Sequence, residues 1–147
     1  MLAAIRAHDV DLALFVHVLG AMVLVGGLLT AAVAGIVGWR EAAPRLQRFS
    51  YLTLLAVALP GWVVMRVGAQ WTYSKEHLDK LPNAPTWIGI GFNTADGGGF
   101  LLLVALVLGG IGYRRGRDRL LNASAVISVV LVAAYLVSVW AMGGKPA

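Results

Sequence analysis

The sequence contains no cysteine, and charged residues make up only 13% of its 147 residues. Without cysteine the chain forms no disulfides, holds no metal through thiolates or iron–sulfur clusters, and has no thiol nucleophile. The scarcity of charge excludes a soluble globule, because 59% hydrophobic residues and a mean hydropathy of +0.79 leave too few polar side chains to cover one. Most of the surface is therefore expected to face lipid.

Basic residues outnumber acidic residues, with 12 Lys and Arg against 7 Asp and Glu. In a soluble domain a net charge of +5 would suggest a nucleic-acid partner, but here the arginines lie between apolar runs. That placement is typical of the cytoplasmic loops of membrane proteins. We therefore predict a lipid bilayer and no nucleic acid as partner, and a multi-pass protein of the bacterial inner (plasma) membrane.

Four apolar runs are each long enough to cross a bilayer as a helix, for which about 20 residues suffice. The first run continues past the small-residue pattern at 32–34 and is too long for a signal peptide, so we expect it to be retained. Pro60 predicts a kink in the second run, because proline removes a backbone donor and frees the carbonyl of Ala56. The predicted spans are residues 12–39, 51–71, 97–113 and 120–142.

The connections between the spans predict how the chain crosses the membrane. Residues 40–50 and 113–119 are short and rich in arginine, so we expect them on the cytoplasmic side and both termini outside. Residues 72–96 then form a long outer loop. Short connections make antiparallel neighbours, so residues 1–147 are predicted to form one membrane domain, an all-α, up-down-up-down four-helix bundle with N-out and C-out termini.

The outer loop contains the apolar piece 87–92, which is too short to span a membrane. We predict that this piece lies at the interface or partly re-enters the bilayer. Asn93 or Thr94 is expected to cap the third helix. Asp96 then falls in the first turn of that helix, where the helix dipole favours a negative charge.

Two ionisable side chains lie inside the predicted spans. His17 lies about five residues below the outer end of the first span and Arg66 about five residues below Trp71, which at ~1.5 Å per residue gives both a depth of about 7 to 9 Å. Ionisable residues within spans are candidates for a functional site. The plainer interpretation of His17 is a hydrogen bond to a neighbouring helix. Arg66 in turn either snorkels to the outer head groups or pairs with Asp11 or Asp96.

The fourth span carries its polar side chains on one face, whereas the third span is expected to contribute none to the site. Spacings of three, four and seven residues place them on the same side of the helix. Tyr135 and Met142 lie in the outer half of that face, at the depth of His17, and Met65 flanks Arg66. These polar side chains form a stripe, whose plainer interpretation is helix packing and whose more specific interpretation is a cofactor site. The stripe comprises Ser124, Ser128, Tyr135, Ser138 and Met142.

The sharper interpretation is a haem b or copper site that opens to the outer face. Imidazole binds both haem iron and copper, so His17 is the expected first ligand, and a methionine thioether or another chain would supply the second. Arg66 would neutralise a haem propionate. The residues predicted to bind the cofactor are His17, Arg66, Met65 and Tyr135, and those predicted to bind a metal ion are His17 and Met142.

The stretch from His17 to Gly27, HVLGAMVLVGG, carries a His-x-x-x-Ala pattern that is followed by paired glycines. It resembles the opening helix of small bacterial four-helix membrane proteins, namely the CopD-like copper-resistance proteins and related predicted membrane proteins of unknown function. More distantly it is similar to the HemJ-type haem-biosynthesis membrane proteins. The resemblance covers helix one, and the rest of the chain only in architecture. It implies a plasma-membrane protein that handles copper or haem, with His17 as the one residue carried over.

Two functions are consistent with these observations. The slightly favoured one is a small membrane protein that binds haem b or copper near the outer face, with His17 as ligand and Arg66 as charge partner. The alternative is a non-catalytic accessory or structural subunit, which docks on a larger membrane complex or on copies of itself. It would dock through the small residues of helix one and through the third helix, which has no polar side chains in its span. Whether the chain is an enzyme stays open, and no activity of the chain alone is the favoured expectation.

Overall fold

The computed structural model describes residues 8–75 and 86–143, which form four helices and two tight connections. Each helix contains a segment that is long and apolar enough to cross a membrane. Large apolar side chains are exposed along the outside of all four helices, as contact with lipid requires. The prediction of an all-α, four-helix membrane bundle is confirmed. The helices are α1 His8–Arg40, α2 Pro44–Lys75, α3 Thr86–Arg115 and α4 Asp118–Gly143.

α1 and α2 form an antiparallel pair that is tied together by glycines and by a buried hydroxyl. A methyl group added to Gly61 would lie 2.6 Å from the backbone nitrogen of Leu24, so the two backbones approach this closely only because Gly61 has no side chain. Nearer the connection, the buried Ser50 hydroxyl donates a 2.6 Å hydrogen bond to the Ala31 carbonyl oxygen. These contacts hold one register along the whole pair.

α3 and α4 form a second antiparallel pair, and α1 packs on α4 to close the bundle. The Ser124 hydroxyl donates a 2.8 Å hydrogen bond to the Ala105 carbonyl oxygen, and the Gln47 amide of α2 donates one of 2.6 Å to Asn122 of α4. α2 and α3 touch each other much less extensively than the helices within either antiparallel pair do. The largest fully buried side chains of the core are Leu24, Leu28, Leu54, Leu102 and Leu131.

α2 begins earlier than the predicted span, at Pro44 and not at residue 51. Proline is favoured in the first turn of a helix, because its fixed φ suits the helix and its missing N–H would have no partner there. Gln47 and Ser50, which we predicted to lie in a loop, are buried in the bundle. The connection between α1 and α2 is therefore only residues 41–43.

α3 also begins earlier than predicted, at Thr86 and not at residue 97. Residues 87–92 are helical, which corrects the prediction of a re-entrant or interfacial piece within an outer loop 72–96. Phe92 packs edge-on against Tyr73 of α2, with ring centroids 5.3 Å apart, and this contact offsets the low helix propensity of the neighbouring glycines. The part of that loop at 76–85 lies outside the described residues.

Pro60 does not interrupt α2 but follows a π-helical turn, Leu54–Ala58. Within this turn the N–H of Leu59 donates to the carbonyl oxygen of Leu54, five residues earlier. Such a turn holds one extra residue and changes the direction in which the helix faces its neighbours. The predicted irregularity is thus present, and it takes the form of a π-turn that begins six residues before the proline.

Among the described side chains, the exposed tryptophans and tyrosines lie at two levels along the bundle. Trp39 and Tyr113 lie near the connections that contain the arginines, and Trp71 and Trp140 lie near the opposite end. Along α4 the interval from Leu120 to Trp140 corresponds to about 30 Å, the thickness of a hydrocarbon core. Aromatic belts of this kind mark the two membrane interfaces. We call the two ends of the bundle the arginine-rich end and the far end.

Candidate functional site

His17 lies where α1 crosses the far half of α2. Its imidazole Nδ1 is 3.0 Å from the carbonyl oxygen of Met65 and donates a hydrogen bond to it. The backbones meet here because Gly20 and Gly68 have no side chains: a methyl group on either would overlap the backbone of the facing helix. The predicted hydrogen bond between His17 and a neighbouring helix is therefore present.

The hydrogen bond also fixes which imidazole nitrogen can act as a ligand. Because Nδ1 carries the proton that is donated to Met65, the lone pair of the neutral ring is on Nε2. A backbone carbonyl that accepts from one ring nitrogen is a common way to orient a metal-binding histidine through its other nitrogen. The same bond is equally effective as a link between two transmembrane helices.

Arg66 forms an ion pair with Asp96, and the pair joins α2 to α3. The Arg66 Nε is 2.8 Å from Asp96 Oδ1, Arg66 Nη1 donates to Gln70 at 3.2 Å, and the guanidinium carbon is 5.0 Å from the centre of the Phe92 ring. The alternative in which Arg66 pairs with Asp96 is confirmed. Asp11 belongs to the residues whose side chains are not described. The prediction that the third helix contributes nothing polar to the site is wrong, because Asp96 lies within that helix and pairs with Arg66.

Tyr135 lies in the core, with 5% of its surface exposed. Its ring and hydroxyl pack against the backbone of Gly98, where an added methyl group would overlap them. Among the described side chains, the Tyr135 hydroxyl is the one buried polar atom without a hydrogen-bond partner. Beside it, the Trp62 indole N–H donates a 2.9 Å hydrogen bond to the Ala95 carbonyl oxygen. The structure thus brings Tyr135 to the same turn of α3 as the ion pair.

The methionines contribute less than the sequence suggested. The Met65 side chain is buried in the same apolar cluster as Tyr135. The side chain of Met142 lies outside the described ones, so its predicted role as a metal ligand stays a prediction. No group of three or more His, Cys, Asp or Glu residues that could hold a metal ion occurs within the described ranges. Of the predicted site residues, His17, Met65, Arg66 and Tyr135 lie at one level of the bundle.

The outward face of α3 carries a polar patch that the sequence analysis missed. We call it the α3 polar face: Gly89, Asn93, Asp96 and Gly97, followed toward the arginine-rich end by Phe100, all exposed. The spacing of four, seven and eight residues puts them on one side of the helix. No described atom would meet a methyl group on Gly89 or Gly97 within 4 Å. The signal was present in the sequence, but it was hidden by the assignment of residues 86–96 to a loop.

Comparisons of this chain with protein-family models, with curated proteins and with solved structures find no match. The resemblance of helix one to CopD-like and HemJ-type proteins therefore stays a prediction.

Proposed function

We propose that this chain is a non-catalytic accessory subunit of a larger membrane complex, in which a transmembrane helix of another protein packs on the α3 polar face. The observation that carries this proposal is that 59% of the Asp96 side chain is exposed on the surface of α3. Between Asp96 and Tyr113, toward the arginine-rich end, α3 has only apolar residues. Polar residues within membrane helices normally face protein and not lipid.

The small residues beside Asp96 support the same proposal. Helices associate in lipid through close backbone contact and interhelical hydrogen bonds, since no hydrophobic force separates protein from lipid tails. Gly89 and Gly97 supply the space for such contact. Asn93 and the second carboxylate oxygen of Asp96 supply hydrogen-bonding groups, each contributing on the order of 0.6–2 kcal/mol in membranes.

The remaining polar side chains have a role in this proposal as links within the subunit. His17 bonds α1 to α2, the Arg66–Asp96 pair bonds α2 to α3, and Ser124 bonds α3 to α4. These links join three of the helix seams, and a bundle joined in this way is a rigid platform for a partner. We further assign the chain to the bacterial inner membrane, with the arginine-rich end in the cytoplasm and both termini outside, because arginine-rich connections stay inside.

Photo-crosslinking tests the proposal. Phe100 on the α3 polar face is replaced by p-benzoylphenylalanine, and Phe15, a similarly exposed aromatic residue on α1, is replaced in the matched control. In intact cells the Phe100 probe is expected to give one protein adduct of defined mass, and the Phe15 probe only lipid adducts. Gly97→Leu should abolish the adduct and leave the monomer folded, because the added side chain fills open space.

The same experiment can overturn the proposal in two ways. Equal adducts from both probes, or none from either, would show that the α3 polar face has no dedicated partner. An adduct at twice the 15.5 kDa mass of the chain would replace the accessory subunit with a homo-oligomer.

A second candidate function, haem b or copper binding near the far end, is favoured by one observation. The Nδ1–H of His17 is held by the Met65 carbonyl, so Nε2 is oriented as a ligand nitrogen. Met65 and Tyr135 lie at the same level, but Arg66 would have to leave Asp96 to neutralise a propionate. An absorption spectrum and metal analysis of the purified protein and of His17→Ala decide: colour or copper that the substitution removes supports this function, and a colourless, metal-free parent refutes it.

A further inference from the structure

A groove lies between α2 and α3 at the arginine-rich end, far from His17 and the ion pair. Its volume is about 310 Å³. Tyr51 of α2 forms one wall of the groove, and α3 supplies the rest of its lining, including Gly110. The lining residues are Tyr51, Leu106, Val107, Gly110, Ile111, Arg114 and Arg115.

The lining changes from apolar to cationic along the helix axis. Val107, Ile111 and Arg114 are spaced by four and three residues, so they follow one another along one side of α3. The two apolar residues lie at the depth of the hydrocarbon, and Arg114 and Arg115 lie in the last turn, beyond the aromatic level of Tyr113. Within the described part of the chain, no carboxylate lies within 4.0 Å of either arginine.

An aromatic wall holds the other side of the groove in place. The ring of Tyr51 packs on the backbone of Gly109 and Gly110, where an added methyl group would meet it. Tyr51 also contacts Tyr113, with ring centroids 5.5 Å apart, and the Arg48 guanidinium carbon lies 5.7 Å from the centre of the Tyr113 ring. This stack fixes the position of Tyr51, and therefore the shape of the wall that its ring forms.

We propose that this groove binds one anionic phospholipid, whose phosphate pairs with Arg114 and Arg115 and whose acyl chain lies along Val107 and Ile111. A soluble phosphate compound would use only the rim, whereas a lipid matches both the cationic and the apolar parts of the lining. Basic pockets between transmembrane helices are a recognised type of site for acidic lipid head groups. Arginine suits this task because its planar fork binds two phosphate oxygens at once. This inference does not depend on the proposed function.

Spin-label electron paramagnetic resonance tests the proposal on the full chain in phosphatidylcholine vesicles. Spin-labelled phosphatidylglycerol and spin-labelled phosphatidylcholine are compared by the fraction of label that the protein immobilises. The parent is expected to prefer phosphatidylglycerol by roughly three- to fivefold. The variant Arg114→Gln/Arg115→Gln should lose most of this preference. The matched control Arg117→Gln/Arg119→Gln removes the same charge from the same end of the bundle, outside the lining, and should keep the preference.

A third variant separates the groove from the general charge of that end. Val107→Trp fills the apolar part from an exposed position and removes no charge, so it should lower the preference as much as the loss of the two lining arginines. Equal losses in the lining and control arginine variants, or a Val107→Trp protein with the parent's preference, would overturn the proposal. Helical circular dichroism of each variant shows that the bundle has formed.

Discussion

At the scale of single residues, glycine decides where the helices can touch. Gly20 and Gly68 bring the α1 and α2 backbones together around His17. Gly26, only six residues from Gly20, faces outward and meets no described atom within 4 Å. The sequence shows that α1 is rich in glycine, but the side on which each glycine lies depends on packing with α2, which the sequence alone does not reveal.

Alanine substitutions at these two glycines are expected to have opposite effects. Gly20→Ala places a methyl group on the Met65 backbone and should lower the free energy of unfolding by about 1–3 kcal/mol, the usual cost of overpacking. Gly26→Ala adds the same methyl group in open space and should leave stability equal or higher, because alanine favours the helix. Unfolding in mixed detergent micelles measures both. Equal stability of the two variants would contradict the close approach at Gly20.

The Arg66–Asp96 pair illustrates what the sequence could and could not predict at this scale. Both residues stand out because they are charged near the membrane interior, and their pairing was one of three alternatives for Arg66. The choice between Asp11, Asp96 and the head groups depends on the rotation of α2 and on where α3 begins. Neither quantity follows from hydropathy, because the glycines of 86–97 weaken the helix signal there.

A double-mutant cycle should reveal a modest coupling between the two charges. Arg66→Gln and Asp96→Asn each remove the charge and leave a polar amide, and Asp96→Asn also keeps the size of the side chain. The pair is 27% and 59% exposed, so we expect a coupling energy on the order of 0.5–1 kcal/mol in the free energy of unfolding. The double variant should therefore lose less stability than the sum of the losses measured for the two single variants. Simple additivity would show that the contact adds nothing to stability.

At the scale of whole helices, the π-turn Leu54–Ala58 determines which side each half of α2 turns toward α1. On one side of the turn Ser50 reaches the Ala31 carbonyl, and on the other Gly61 contacts Leu24. The extra residue keeps both halves on α1. Pro60 signals an irregularity in the sequence, but it does not specify that one residue is gained in the turn before it.

Insertion of one alanine between Thr53 and Leu54 is expected to be far more damaging than removal of the proline. The π-turn already holds one extra residue, so the insertion would turn the segment Pro44–Thr53 by about 100° relative to the rest of α2. Ser50 would then leave the Ala31 carbonyl, with further loss of core contacts. Pro60→Ala keeps the residue count and serves as the control, with near-parental stability. Thermal unfolding that ranked the two variants in the reverse order would contradict this role of the turn.

At the scale of the whole molecule, composition was sufficient to predict the bundle. Four long apolar runs and two short connections leave an antiparallel four-helix arrangement as the direct solution in lipid. The helices extend further than the apolar runs, and α3 begins at Thr86 and α2 at Pro44. Helices continue past the hydrocarbon where hydrogen bonds and aromatic contacts support them. The α3 polar face and the groove are products of this longer geometry.

The orientation of the whole bundle can be measured directly because the chain has no cysteine of its own. A single cysteine at Ala43, in the connection between α1 and α2, reports on the arginine-rich end, and one at Ser74 reports on the far end. Ser74 is exposed and Ala43 is partly exposed, so a membrane-impermeant maleimide can reach either cysteine from the side on which it lies.

With the arginine-rich end in the cytoplasm, Ser74→Cys should be labelled in intact spheroplasts, and Ala43→Cys only after permeabilisation. Seven arginines stand against Glu41 and Asp118 in the segments 40–48 and 114–119, so this charge difference is the physical cause of the expected orientation. Substituting Arg114, Arg115, Arg117 and Arg119 together by Gln should produce a mixed population in which both cysteines are partly labelled. Labelling of Ala43→Cys in the intact parent would reverse the orientation and place the α3 polar face in the cytoplasmic half of the membrane.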